Sequence, residues 1–229
     1  MKRIKNYFSK FEISLWITSV TLITAAYFVF DRSSPLTLIA SILGVTAILL
    51  NAKGNPIGQG LMVIFSIIYG IISYGFSYYG EMITYMGMSM PMAIIALIAW
   101  LKNPFKGNHA EVKVNRISKK ETAFMLILSA FVTLVFYFIL KHFNTSNIIP
   151  STLSVTTSFL AVYLTFRRSP YFSLLYAFND VVLIVLWILA SLTNLSYISV
   201  VVCFLMFLIN DMYAFISWRK MEIRQRTID

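Results

Sequence analysis

Two Asn-Asp pairs, Asn179-Asp180 and Asn210-Asp211, stand inside otherwise apolar stretches of the chain. No other acidic residue lies deep within such a stretch. A carboxylate at the centre of a membrane helix costs about 2.5–3.5 kcal/mol on insertion scales, so it needs a partner or a purpose. An amide offers donors and acceptors without fixed charge and suits a sugar or a carboxamide. The two pairs fall at similar depth on consecutive antiparallel segments, where they can meet in one polar cluster. Interhelical adhesion, worth about 1 kcal/mol per Asn contact, and substrate recognition both account for them. The carboxylates read more readily as structure or gating, the amides as substrate ligands.

Helical spacing sets Tyr176, Asp180 and Trp187 on one stripe. A polar group between aromatic rings suits a flat heterocycle, stacked by one and fixed by the other. A positively charged ring would gain a further 0.5–2 kcal/mol or so from cation–π attraction. An interfacial aromatic belt explains the same rings, and Tyr78, Tyr79 and Tyr85 read as belt residues. Gln59 opens another span near its basic end and can line an inner mouth. In that span Ser66, Gly70, Ser73 and Ser77 make a small-residue stripe for close helix packing. The next span is crowded with adaptable methionines, and Pro91 supplies a hinge.

Spans of a bilayer must carry these residues. The chain of 229 residues is 59% hydrophobic and 12% charged, too little charge to cover a soluble domain. Eight apolar segments, at 13–30, 35–50, 59–79, 82–101, 122–140, 149–166, 171–190 and 196–218, approach the ~20 residues a helix needs to cross about 30 Å of hydrocarbon. Backbone groups in lipid must satisfy one another, so the expected fold is an all-α polytopic membrane protein. The first segment follows basic residues but lacks a cleavage pattern, which favours a retained span. All of the 19 Lys and Arg except Arg32 and Lys141 fall in connections on one side. The positive-inside rule then puts both termini on the cytoplasmic side of the membrane. It also explains the net charge of +10 without a nucleic-acid partner.

The layout repeats. A short span (35–50) leads to a turn ending at Pro56 and then to two spans ending at Trp100; another (149–166) leads to a turn ending at Pro170 and two spans ending at Trp218. One span, 122–140, separates the triplets and keeps them parallel. The expected architecture is therefore an extra N-terminal helix (13–30), a three-helix repeat (35–101), a linker helix (122–140) and a second repeat (149–218). Parallel repeats are a transporter architecture that holds substrate between its halves near the midplane.

Other classes lack their chemistry. The one cysteine, Cys203, excludes an intrachain disulfide, and the two histidines, His109 and His142, lie in connections away from metal-ligand spacing. No phosphate-binding loop of the G-x-x-x-x-G-K type is present, so ATP is not harnessed by this chain. A membrane prenyl or lipid transferase needs clustered acids for Mg²⁺, whereas Glu12, Asp31, Glu81, Glu111 and Glu121 are scattered. No enzyme, metal or cofactor is expected.

Several stretches resemble the PnuC family of vitamin-precursor transporters. They are Gly58-Gln-Gly-Leu-Met62, Tyr79-Gly-Glu-Met-Ile-Thr-Tyr85, Trp100-Leu-Lys-Asn-Pro104, Asn179-Asp-Val-Val-Leu183 with Trp187, and Phe207-Leu-Ile-Asn-Asp-Met-Tyr213. The resemblance runs from about residue 50 to the end. It implies a SWEET-like fold of two three-helix bundles, often trimeric, that takes up nicotinamide riboside, an NAD precursor, across a bacterial inner (plasma) membrane by facilitated diffusion with alternating access. Relatives on this scaffold carry thiamine or riboflavin, and a proton-coupled symporter is the other mechanism the acids allow. The candidate substrate residues are Asn179, Asp180, Trp187, Asn210, Asp211, Tyr176 and Gln59. The riboside branch tends to carry Trp-x-x-Trp where this chain has Ile184 and Trp187.

Overall fold

A computed structural model describes residues 7–32, 34–75, 79–145 and 147–228. Eight of its helices are long and apolar enough to cross a membrane. Helices α1 (Lys10–Phe30), α2 (Pro35–Ala52) and α3 (Pro56–Gly75) come first. The fourth span is built from α4 (Tyr79–Thr84), a π-helical turn (Tyr85–Ser89) and α5 (Met90–Leu101). A hairpin of β1 (Pro104–Phe105) and β2 (Asn108–Val112) precedes α6 (Lys119–His142), α7 (Ile148–Phe166), α8 (Phe172–Ser191) and α9 (Ile198–Ile228).

Six helices close into a ring. α2 packs on α3, α3 on α5, α5 on α7, α7 on α8, α8 on α9, and α9 returns to α2. Two of these contacts, α5 with α7 and α2 with α9, join the first triplet to the second. Helix α1 lies outside the ring on α9 and α2, and α6 lies outside on α7. The outer face of α6 presents Phe124, Ile127, Phe131, Leu134 and Phe138, a stripe that only lipid or another apolar surface would cover.

Local chemistry sets the ends. Ser9 caps α1 in a reciprocal box with Glu12: the Glu12 amide donates to Ser9 Oγ (3.1 Å) and the Ser9 amide to Glu12 Oε2 (2.6 Å). The turns after α2 and α7 share one geometry. Gly54 (φ 67°) and Arg168 (φ 56°) are left-handed; the Gly54 amide donates to Asn51 O and the Arg168 amide to Thr165 O, each at 2.9 Å. One residue on, the Asn55 amide reaches Leu50 O and the Ser169 amide Leu164 O. This is the helix-ending αL turn that favours glycine, and Arg168 adopts it at some cost in strain.

The basic connections gather at one end of the ring. The Val112 amide donates to Gly54 O (2.9 Å) and the Asn115 amide to Arg168 O (3.0 Å), so the segment after α5 ties both turns together. Buried Glu222 on α9 accepts from Arg116, Arg219 and Arg226. Gln225 bonds Glu111, Val112 O and the Val114 amide. The Tyr7 hydroxyl contacts Ala110 O at the same end.

Several sequence expectations are corrected. The last helix outruns its apolar span: α9 continues past 218 to Ile228 because the Glu222 and Gln225 contacts hold a polar extension, which a hydropathy reading cannot see. The loop after α5 contains a β-hairpin in an otherwise helical chain. Its turn residues Lys106 (φ 48°) and Gly107 (φ 78°) take the paired positive angles a tight hairpin requires. Tyr85 is no belt residue but turns inward. Of the small-residue stripe, Ser66 and Ser73 are buried and Gly70 packs on Met86; Ser77, like Tyr78, lies outside the described residues.

Candidate substrate site

The ring encloses a cavity of about 110 Å³, enough for several waters or part of a small ligand. Its walls come from every ring helix and from the π-turn, with Leu140 of α6 at one edge.

Helix α8 contributes Tyr176, Asn179, Asp180 and Trp187. The first, third and last are the stripe expected from spacing, and all face inward. The Asn179 amide oxygen accepts from Ser154 Oγ (3.2 Å) and Thr157 Oγ1 (2.8 Å) of α7, which fixes the plane of the amide. Trp187 is nearly buried and packs on Tyr197 with ring centroids 5.2 Å apart. The Asp180 carboxyl meets that of Asp211 across the α8–α9 contact, and both are buried. Asp180 Oδ2 has no hydrogen-bond partner among the described residues. Two touching, buried carboxyls resist being ionised together without a counter-cation. No Lys, Arg or His is found among the described residues that line the cavity.

Gln59 lies at the basic end, buried, its Nε2 donating to Asn51 Oδ1 (2.9 Å). Aromatic surface comes from Phe65, Tyr85, Phe204 and Phe207. Tyr85 sits 4.9 Å from Tyr69 and 6.2 Å from Phe65, centroid to centroid. The π-turn that carries it ends just before Pro91, whose ring crowds the preceding turn and has no amide hydrogen to give.

Asn210 corrects the sequence reading. Its Nδ2 donates to Ser19 Oγ of α1 (2.9 Å) and to Met206 O (2.7 Å), and it does not line the cavity. Neighbours on a helix point about 100° apart, so turning Asp211 inward turns Asn210 out to α1. Only one of the two Asn-Asp pairs therefore places both members in the cavity.

Residues the sequence reading passed over also line it: Asn51, Ser151, Ser154, Ser158 and Thr165. On α7 the serines recur at offsets of three and seven, a polar face that helical periodicity could have flagged. Asn51 was hidden because it doubles as the start of a turn.

A ring of apolar helices around a polar, aromatic-lined cavity defines a multi-pass membrane transport protein. The family described as nicotinamide mononucleotide transporter matches residues 34–220, and the chain belongs to that family; it is a transporter and not an enzyme. It is 26% identical over 216 residues to the nicotinamide riboside transporter PnuC of Neisseria mucosa, covering 92% of this chain and 82% of that one. Its fold matches a crystal structure of the vitamin B3 transporter PnuC with a TM-score of 0.80 at 23% identity, over 95% of this chain and 94% of the other.

Proposed function

We propose that the protein takes up nicotinamide riboside by facilitated diffusion. The observation that carries this reading is the cavity's lining: two touching carboxyls and no cationic side chain among its described residues. The riboside is a pyridinium cation bearing an uncharged ribose and a carboxamide. Its ring supplies the counter-charge that Asp180 and Asp211 lack, Trp187 and Tyr176 offer stacking faces, and Asn179, Asn51 and Gln59 offer hydrogen bonds to hydroxyls and carboxamide. The family description names the mononucleotide, yet a phosphate here would meet carboxyls and no cation, a several-kcal/mol mismatch. The lining therefore favours the dephosphorylated form over the phosphorylated one.

In this reading 35–101 and 149–218 are two parallel three-helix bodies that rock about the α6 linker and the π-turn at Pro91, exposing the cavity to each side in turn. Both termini lie in the cytoplasm of a bacterial plasma membrane, and a trimer is the assembly the family resemblance implies. The test is uptake of labelled riboside into proteoliposomes with no ion gradient. Saturable, downhill equilibration supports the proposal; absence of saturable uptake rejects it. Thermal-shift competition with thiamine and riboflavin separates the other vitamins, because a ligand bound only by the folded state raises Tm.

The contact between the two carboxyls favours one second reading, proton coupling. In that case a pH gradient drives uphill accumulation, Asp180→Asn abolishes it, and transport indifferent to a protonophore excludes it.

A further inference from the structure

The floor of the cavity at the basic end is an aromatic cluster whose bonding is reciprocal between the halves. Trp100, at the end of α5, and Trp218, on α9, are fully buried, as is Phe172 at the start of α8. Ring centroids lie 5.3 Å apart for Trp100–Trp218 and 4.9 Å for Phe172–Trp218. Trp100 Nε1 donates to Thr165 O at the end of α7 (2.9 Å). Trp218 Nε1 donates to Asn51 O at the end of α2 (2.7 Å). Each half thus uses the tryptophan of its last helix to hold the final turn of the other half's first helix. Asn51, Thr165 and Phe172 also line the cavity, so the cluster stands between the cavity and the basic side.

We propose that Trp100 and Trp218 form a two-point latch that seals the cavity on the basic side, and that opening to that side requires both indole bonds to break and the rings to part. Widening the floor separates α5 from α7 and α2 from α9, the same two contacts the indoles span. The carbonyls they release belong to the ends of helices α2 and α7, where water can replace the indole donors once the floor opens. The latch is not evenly loaded. Ser217 Oγ adds a bond to Ala52 O (2.7 Å) on the α2–α9 side, whereas Ala99 occupies the matching place beside Trp100 and has no hydroxyl to give. The Trp100 point is therefore the weaker of the two.

The inference rests on the alternating-access reading, but its test uses no substrate. Cys203 is the chain's one cysteine. In a Cys203→Ser background, Ser158→Cys places a thiol in the cavity wall. Its reaction with a membrane-impermeant maleimide is followed in vesicles of each orientation. Losing one indole bond of ordinary net strength shifts the open population by about fivefold. Trp100→Phe is expected to raise labelling from the basic side about fivefold and from the other side not at all. Trp218→Phe is expected to raise it by about the same factor, since the remaining bonds must still break in either variant, and adding Ser217→Ala to raise it about fivefold further. Should the phenylalanine variants fold poorly, benzothienylalanine at either position keeps the bicyclic ring and removes only the N–H. Unchanged labelling in well-folded variants, or an equal rise from both sides, overturns the latch. A failure of riboside uptake in the parent protein would instead strike the substrate assignment and leave the latch standing.

Discussion

With Pro56 set on Pro170 and Trp100 on Trp218, the two halves share their turns and their indole bonds and differ in the chemistry of their walls. Cavity positions pair as Asn51 with Thr165, Met62 with Tyr176, Phe65 with Asn179, Ser66 with Asp180, and Ala93 with Asp211. The floor is two-fold: equal turns, and exchanged indole bonds. The walls are not. The first half supplies the amides of Asn51 and Gln59 and the ring of Tyr85 among apolar and small groups, whereas the second supplies both carboxyls, the Asn179 amide held by α7 hydroxyls, and Tyr176. Motion and recognition thus make different demands. Rocking bodies benefit from matched hinges and latches, while an asymmetric ligand is read by one-sided chemistry.

The harshest way to break the comparison is to reverse the charge of the reading half. Asp180→Lys claims the Asp211 carboxylate as its own partner and leaves none to balance the pyridinium, which is expected to cut riboside uptake by about 100-fold or more in proteoliposomes. Moving the chemistry to the other half is next. Ser66→Asp combined with Asp180→Ser restores the charge count but not the contact, since Ala93 stands where Asp211 would be needed. Uptake is expected to stay about tenfold below the parent, roughly the 1.4 kcal/mol of one lost charged contact; full recovery would show that charge alone matters. Trp187→Ala removes a stacking face worth about 0.5–1.5 kcal/mol, so KM is expected to rise between about two- and tenfold, and Trp187→Phe to retain most of the affinity. The smallest effect on transport is expected at Asn210→Ala. Loss of the Ser19 bond costs about 1 kcal/mol, a Tm decrease of a few degrees, with KM unmoved; a KM change equal to that of Asn179→Ala would put Asn210 back in the cavity.

Span number, the inward stripe of Tyr176, Asp180 and Trp187, and the matched turns were legible because lipid forces a strong periodic signal on the chain. What escaped depended on rotation or on polar helix outside lipid. Asn210 and Asp211 are neighbours in sequence, and only the packing of α9 between α8 and α1 decides which faces inward. Tyr85 faces the cavity through a π-turn, which shifts every later side chain away from the 3.6-residue phase. The α9 extension and the hairpin follow from contacts of Glu222 and Gln225 with a loop more than a hundred residues earlier.

The proposed selectivity rests on two carboxyls and no cationic side chain among the described residues that line the cavity. Competition against labelled nicotinamide riboside uptake tests this most directly, using unlabelled riboside and the mononucleotide, which differs by the phosphate alone. The riboside should displace the label in the range of its own KM, and the mononucleotide should fail at 100-fold higher concentration. Equal competition by the two would contradict the account.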